Sequence, residues 1–247
     1  FATAKPGTQL VEGDRVIVMV GGQPDTGVVA LDPTTGKTIW KNVGRKTWNG
    51  VIPVGGRTTK PYEWTGSEML ASYASPVAAT IHGQRHLFCL MRQGLVALNP
   101  TNGAVRFRRW FQAPVNESVN AMTPVVHDDL VFFSAAYYRV GAVALRVQPD
   151  GQSFAETWRS PSNSFERDPA TGNYPSPVLE IHFSTPVLLD GFLYAFSGRN
   201  EPDATFRCVE LQTGALRWSR DEGWPAHSTR QPNVFGRGSA ILAEGKL

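Results

Sequence analysis

Residues 30–40 read Ala30-Leu31-Asp32-Pro33-Thr34-Thr35-Gly36-Lys37-Thr38-Ile39-Trp40. Residues 97–107 repeat the layout as Ala97-Leu98-Asn99-Pro100-Thr101-Asn102-Gly103-Ala104-Val105-Arg106-Phe107. Residues 208–218 repeat it again as Cys208-Val209-Glu210-Leu211-Gln212-Thr213-Gly214-Ala215-Leu216-Arg217-Trp218. In all three the glycine stands seventh and the aromatic eleventh. A looser copy has Ala142-Val143-Ala144-Leu145, then Pro149-Asp150-Gly151, then Trp158 after extra residues. The middle of each copy is turn chemistry: Asp or Asn accepts backbone N–H bonds, Pro sets φ and Gly supplies positive φ. Near-matched copies at intervals along one chain mark a repeat architecture rather than unrelated hairpins.

A second signature precedes each copy. It reads Ser75-Pro76-Val77, Thr123-Pro124-Val125 and Thr185-Pro186-Val187, and proline is tolerated at the first residue of a strand. A polar turn follows (His82-Gly83, Asp128-Asp129, Asp190-Gly191), then an apolar run at Leu87–Met91, Leu130–Phe133 and Phe192–Phe196. Each unit therefore has four short strands. Strand a follows the proline, b follows the polar turn, c ends in the Ala-Leu-Asp type segment, and d carries the aromatic. The units span about 8–40, 73–110, 121–159 and 183–219, and the start of a fifth spans about 237–247. Repeated four-stranded antiparallel units predict an all-β fold, a β-propeller of radially packed blades. Four blades and part of a fifth make this a slice of a larger ring of seven or eight. The d-strand aromatics Trp40, Phe107, Trp158 and Trp218 are expected to wedge against neighbouring blades. Trp40→Ala and Trp218→Ala are each expected to cost about 3–5 kcal/mol.

Composition agrees and excludes other classes. The 24 Gly and 18 Pro among 247 residues suit many short elements. No run of about 20 apolar residues offers a membrane span. The net charge is +3 with dispersed basic residues, so nucleic acid is not an expected partner, and no direct membrane insertion is expected. Cys89 and Cys208 are far apart and form no Cys-x-x-Cys, leaving one long-range bridge or two buried thiols.

The Ala-x-Asp-x-x-x-Gly-x-x-x-Trp pattern resembles the tryptophan-docking motif of PQQ-like, or quinoprotein-like, β-propellers. Residues 30–40 match every fixed position; Asn99, Phe107, Cys208 and Glu210 depart from it. That family contains PQQ-dependent alcohol dehydrogenases and a non-catalytic branch that includes the lipoprotein scaffold of outer-membrane protein assembly. The resemblance implies a bacterial cell-envelope, periplasmic protein. The catalytic members hold PQQ against a Trp, beside a Ca²⁺ bound by Glu, Asn and Asp, and several carry a disulfide between adjacent cysteines. Here no adjacent cysteines occur, and Glu117 and Asn120 have no Asp assignable beside them.

Meandering connectivity places the a–b and c–d turns on one face and the b–c and d–a connections on the other. The first set is short and uniform. The second is long and uneven, and long loops on a rigid scaffold are where sites are built. Loop-face candidates are Trp48, Arg57, Tyr62, Trp64, Tyr138, Arg199 and Trp224, serving either recognition or packing among loops. Residues just before strand a should ring a channel mouth. Ser72, Asn120, His182 and Gly236 align at one level, and Tyr73, Ala121, Phe183 and Arg237 at the next. That ring either holds a small ligand or lines a hydrated channel.

Three functions are open at this stage. One is a non-catalytic platform binding a protein or peptide through its long-loop face, with no cofactor. Another is a PQQ- and Ca²⁺-dependent dehydrogenase whose remaining site residues lie in other blades of the same parent chain. The third is the sensor domain of a larger receptor or kinase.

Overall fold

The computed structural model describes residues 9–54, 59–113, 118–161, 167, 169–173, 175–198, 204–220 and 238–246. Among these, strands form four sheets, each a consecutive antiparallel meander of four. The first holds β1 (Leu10–Glu12), β2 (Arg15–Gly22), β3 (Thr26–Leu31) and β4 (Thr38–Asn42). The second holds β5 (Val77–Ile81), β6 (Gln84–Leu90), β7 (Gly94–Leu98) and β8 (Val105–Trp110). The third holds β9 (Val125–His127), β10 (Leu130–Ala135), β11 (Gly141–Val147) and β12 (Phe154–Ser160). The fourth holds β13 (Val187–Leu189), β14 (Phe192–Ser197), β15 (Thr205–Glu210) and β16 (Leu216–Arg220). This is the all-β array of four-stranded blades read from the repeat. Beyond β16, residues 238–246 contribute a turn closed by a single bridge between Ala243 and Lys246.

Two local devices shape every blade. The a–b hairpins close through two-residue turns with left-handed backbone: His82 and Gly83 have φ of 49° and 72°, Asp190 and Gly191 of 50° and 80°. Such turns match the right-handed twist of the strands they join. The second device is a bulge between c and d. The register shifts at Ala30/Leu31, Ala97/Leu98, Ala144/Leu145 and Cys208/Val209. The residue left over is Ile39, Arg106, Thr157 or Arg217, always the one before the aromatic. A bulge bends the strand and re-aims the next side chain. The aromatic then pairs with a small residue: Ala30 with Trp40, Ala97 with Phe107, Ala144 with Trp158, Cys208 with Trp218. The looser third copy thus reaches the same pairing as the others.

The cores lie between blades, because side chains alternate across each sheet. Ile17, Met19, Val28, Ala30 and Trp40 of the first blade meet Leu87, Cys89, Val96 and Leu98 of the second. The opposite face of the second blade, with Phe88, Leu90, Leu95, Ala97 and Phe107, meets Val131, Phe133, Val143 and Leu145 of the third. Phe132, Ala142 and Ala144 then meet Leu193, Ala195 and Val209 of the fourth. Ion pairs tie the same neighbours: Arg85 forks onto Glu12 at 2.6 and 2.7 Å, and Arg109 reaches Glu156 at 2.5 and 3.0 Å. Both cysteines are free, buried thiols, and burial pushes both thiol pKa values up.

His86 is fully buried in the second interface and stacks on Phe88 with ring centroids 5.7 Å apart. Burial, then the Arg106 guanidinium beside it, lower its pKa to about 4. It is a neutral packing residue at physiological pH.

Candidate functional site

The long b–c and d–a connections meet on one face and are laced together. Arg45 N–H donates to the Pro24 carbonyl at 2.7 Å, and Lys46 N–H to Asp25 Oδ1 at 2.7 Å. Arg92 N–H reaches the Leu70 carbonyl at 3.2 Å, and Gln93 Nε2 the Met69 carbonyl at 3.0 Å. In the third and fourth blades Ile181 N–H donates to Ser134 Oγ, Glu180 N–H to Ser197 Oγ and Gly198 N–H to the Glu180 carbonyl, at 2.8–3.0 Å. Arg207 fixes the same loop by donating to the carbonyls of Pro177 and Val178 at 2.9 and 2.8 Å. Buried backbone polar groups must find partners, and these bonds are how long irregular segments meet that demand.

The residues expected to ring the channel mouth do converge, but not as a polar ring. Ser72 and Asn120 are buried. Ser72 Oγ donates to the Leu90 carbonyl. Asn120 Nδ2 serves three carbonyls, of Met91, Phe111 and Arg92, at 2.8, 2.9 and 3.3 Å. Both side chains turn inward, onto carbonyls at and just beyond the ends of β6 and β8. The accessible surface at this place is aromatic instead. Tyr73 N–H donates to the Asn120 carbonyl at 3.1 Å, and the Tyr73 ring meets Phe183 edge-on at 6.0 Å. The small Ala121 stands between them in the repeat, which lets rings from the second and fourth blades touch. Phe183 lies 4.0 Å from His182, and His182 lies 5.0 Å from Tyr137. Tyr137 and Tyr138 follow at 6.4 Å. Five rings thus run from Tyr73 to Tyr138 across three blades. His182 is nearly buried, whereas Phe183 is 48% exposed and Tyr138 43% exposed. Tyr138 is held out by a left-handed backbone, φ 48°. Such a conformation is uncommon for a bulky residue and marks a constrained loop.

The other loop aromatics divide differently from the sequence expectation. Trp48 is fully buried and packs edge-on against Trp110 at 5.8 Å. Tyr62 tilts onto the same Trp110 at 5.0 Å, and Trp64 packs half-buried against this cluster. These three fasten the 43–76 loop to the first interface and offer little recognition surface. Burial, then the neighbouring Glu68, raise the Tyr62 pKa. Trp110 was not singled out from the sequence. It sits across from Gly94, and that register is invisible without the β7–β8 pairing. Arg57, Arg199, Trp224, Gly236 and Arg237 lie outside the described residues.

The d-strand aromatics show one geometry with two exceptions. Trp40 donates its indole N–H to the Pro100 carbonyl at 2.9 Å, and Trp158 donates to the Leu211 carbonyl at 2.7 Å. Each indole lies against the glycine of the turn it meets, Gly103 or Gly214. Phe107 has no N–H to donate. It packs on Phe154 at 5.2 Å, and Gln84 from β6 supplies the polar contact, donating to the Asp150 carbonyl at 3.1 Å beside Gly151. Trp218 departs from the expected buried wedge. It packs on Phe206 and Tyr194 of its own blade at 5.6 and 6.0 Å and is 38% exposed. No following blade covers it among the described residues.

For a Ca²⁺–PQQ site the described donor set is thin. No three His, Cys, Asp or Glu side chains converge among the described residues. Asn120 Oδ1 is buried without a partner, so one oxygen is available. Glu117 lies outside the described residues. Oxygen donors in greater number are what Ca²⁺ requires.

The family model described as outer membrane protein assembly factor BamB matches residues 7–220. The chain belongs to the PQQ-like β-propeller family. Among solved structures, BamB from Moraxella catarrhalis superposes with a TM-score of 0.52 and 17% identity, covering 86% of this chain and 50% of that one. A quinohemoprotein alcohol dehydrogenase from Comamonas testosteroni gives 0.49 and 16% identity, covering 87% of this chain and 34% of that one. The PilY1 C-terminal domain from Pseudomonas aeruginosa gives 0.48 and 13%, covering 85% and 49%. No curated protein matches in sequence. This PQQ-like chain therefore spans about half the length, or less, of the solved structures it resembles. In this chain the turn face carries the docking glycines and the loop face carries the aromatic cap.

Proposed function

We propose that this chain is part of a non-catalytic PQQ-like propeller in the bacterial cell envelope, where its long-loop face binds a protein or peptide. The observation that carries this reading is the ring chain Tyr73–Phe183–His182–Tyr137–Tyr138, anchored by the buried His182 and presenting Phe183 and Tyr138 to solvent. Aromatic side chains seated on a rigid base lose little entropy on contact and dominate protein interfaces. The match to the family model of an outer membrane protein assembly factor supports an assembly role.

The competing reading, a PQQ- and Ca²⁺-dependent dehydrogenase, is separated by titrating the chain with PQQ in the presence of Ca²⁺. Tryptophan fluorescence reports binding, and dye-linked alcohol oxidation reports turnover. The platform reading predicts neither saturable quenching nor dye reduction. Saturable quenching with alcohol-dependent dye reduction would sink it.

A further inference from the structure

We infer that Ser134 is the positioning residue of the aromatic cap: its hydroxyl ties the two loops that present Tyr138 and Phe183 into one arrangement, so both rings meet a partner as a single pre-set unit. This rests on the reading of the loop face as the binding surface. The two exposed rings come from different loops. Tyr138 stands in the connection between β10 and β11, and Phe183 in the segment that leads from β12 to β13. Tyr137 and His182 join these loops ring to ring at 5.0 Å. An aromatic contact tolerates several offsets and tilts, whereas a buried hydrogen bond fixes a distance and an angle.

Ser134 lies near the end of β10 and is fully buried. Its hydroxyl donates to the Gly141 carbonyl at 2.8 Å, where the first loop returns into β11. The same oxygen accepts the Ile181 N–H at 3.0 Å, one residue before His182, and the Leu179 carbonyl of that segment is 3.4 Å away. A serine hydroxyl has one proton and two lone pairs, so a single group serves one loop as donor and the other as acceptor. Three other side chains hold the second loop. Ser160 Oγ accepts the Val178 N–H at 2.7 Å, Ser197 Oγ accepts the Glu180 N–H at 2.9 Å, and Arg207 donates to the Pro177 and Val178 carbonyls. Of these four anchors, the one whose side chain also bonds the first loop is Ser134. Removing its hydroxyl withdraws a partner from each loop and leaves the buried Ile181 N–H without this acceptor, which drives the backbone toward another arrangement. Rings already held in their bound geometry need less ordering on contact.

Ser134→Thr and Ser134→Val test this as a pair, since both add a branch at Cβ and they differ in the hydroxyl. Amide hydrogen exchange at Ile181, and fluorine NMR resonances of single fluorinated rings at positions 138 and 183, read the cap without any partner. In Ser134→Val the Ile181 amide is expected to exchange at least about fivefold faster than in Ser134→Thr, the factor that one net hydrogen bond contributes. Both ring resonances should move in Ser134→Val and stay near wild type in Ser134→Thr. Ser197→Ala, which releases the second loop alone, should move the resonance at 183 and leave that at 138 in place. Photo-crosslinking to a partner from positions 138 and 183 should fall in Ser134→Val and be retained in Ser134→Thr. Should Ser134→Val fail to fold, Ser134→Ala against wild type gives the same comparison without added bulk. Equal behaviour with and without the hydroxyl, or movement of one ring only, overturns the proposal. Resonances that follow the expected pattern in a chain that captures no partner bear out the fixed cap and overturn the binding role of the loop face instead.

Discussion

Trp40→Ala lowers the unfolding free energy by about 3–5 kcal/mol, as large aromatic deletions in cores do. The indole is 8% exposed, it fills the space opposite Ala30, and its N–H is bonded to the Pro100 carbonyl. Truncation leaves a cavity in the first interface and an orphaned carbonyl in the next blade, and both costs add. Trp218→Ala, at the equivalent repeat position, costs about 1–2 kcal/mol. Its indole is 38% exposed and rests only on rings of its own sheet among the described residues. Urea denaturation of the two variants side by side checks the difference. Equal losses would mean that interblade docking contributes nothing beyond local packing.

Gly103→Ala is the second large effect, and Gly36→Ala is its control. The two glycines have nearly the same left-handed φ, 71° and 68°, so both substitutions carry a backbone cost of about 1–2 kcal/mol. They differ in what a methyl group meets. At Gly36 it meets open space; at Gly103 it collides with the Trp40 indole. Displacing the indole or straining the turn adds about 1–3 kcal/mol, the usual penalty of overpacking. Gly103→Ala is therefore expected to cost about 2–5 kcal/mol and Gly36→Ala about 1–2 kcal/mol, by the same denaturation. A matched pair of values would show that backbone strain alone decides both.

The blades were legible because their signals are local. Asp32, Pro33 and Gly36 announce a turn by their own chemistry, and a repeated turn fixes repeated strands. What was not legible depends on direction and register. Ser72 and Asn120 hold equivalent positions before strand a, and their side chains donate to the neighbouring carbonyls of Leu90 and Met91. That their side chains turn onto the carbonyls of Leu90 and Met91 is set by where the ends of β6 and β8 lie, which no spacing reveals. Trp48, Tyr62 and Trp64 look the same in sequence as Tyr138. Only the register that puts Trp110 opposite Gly94 makes the first three a buried cluster. The bulge before each aromatic and the substitution of Gln84 for the missing indole N–H of Phe107 are likewise products of pairing.

The central claim is that the aromatic cap is the working surface. Site-specific photo-crosslinking in the bacterial cell envelope tests it most directly, with benzoylphenylalanine placed at Tyr138 or Phe183 on the loop face and at Thr34 on the turn face. The account predicts a discrete crosslinked protein partner from positions 138 and 183, lost when the other cap residue is changed to Ser, and none from position 34. Crosslinks from position 34 with none from 138 or 183 would contradict it.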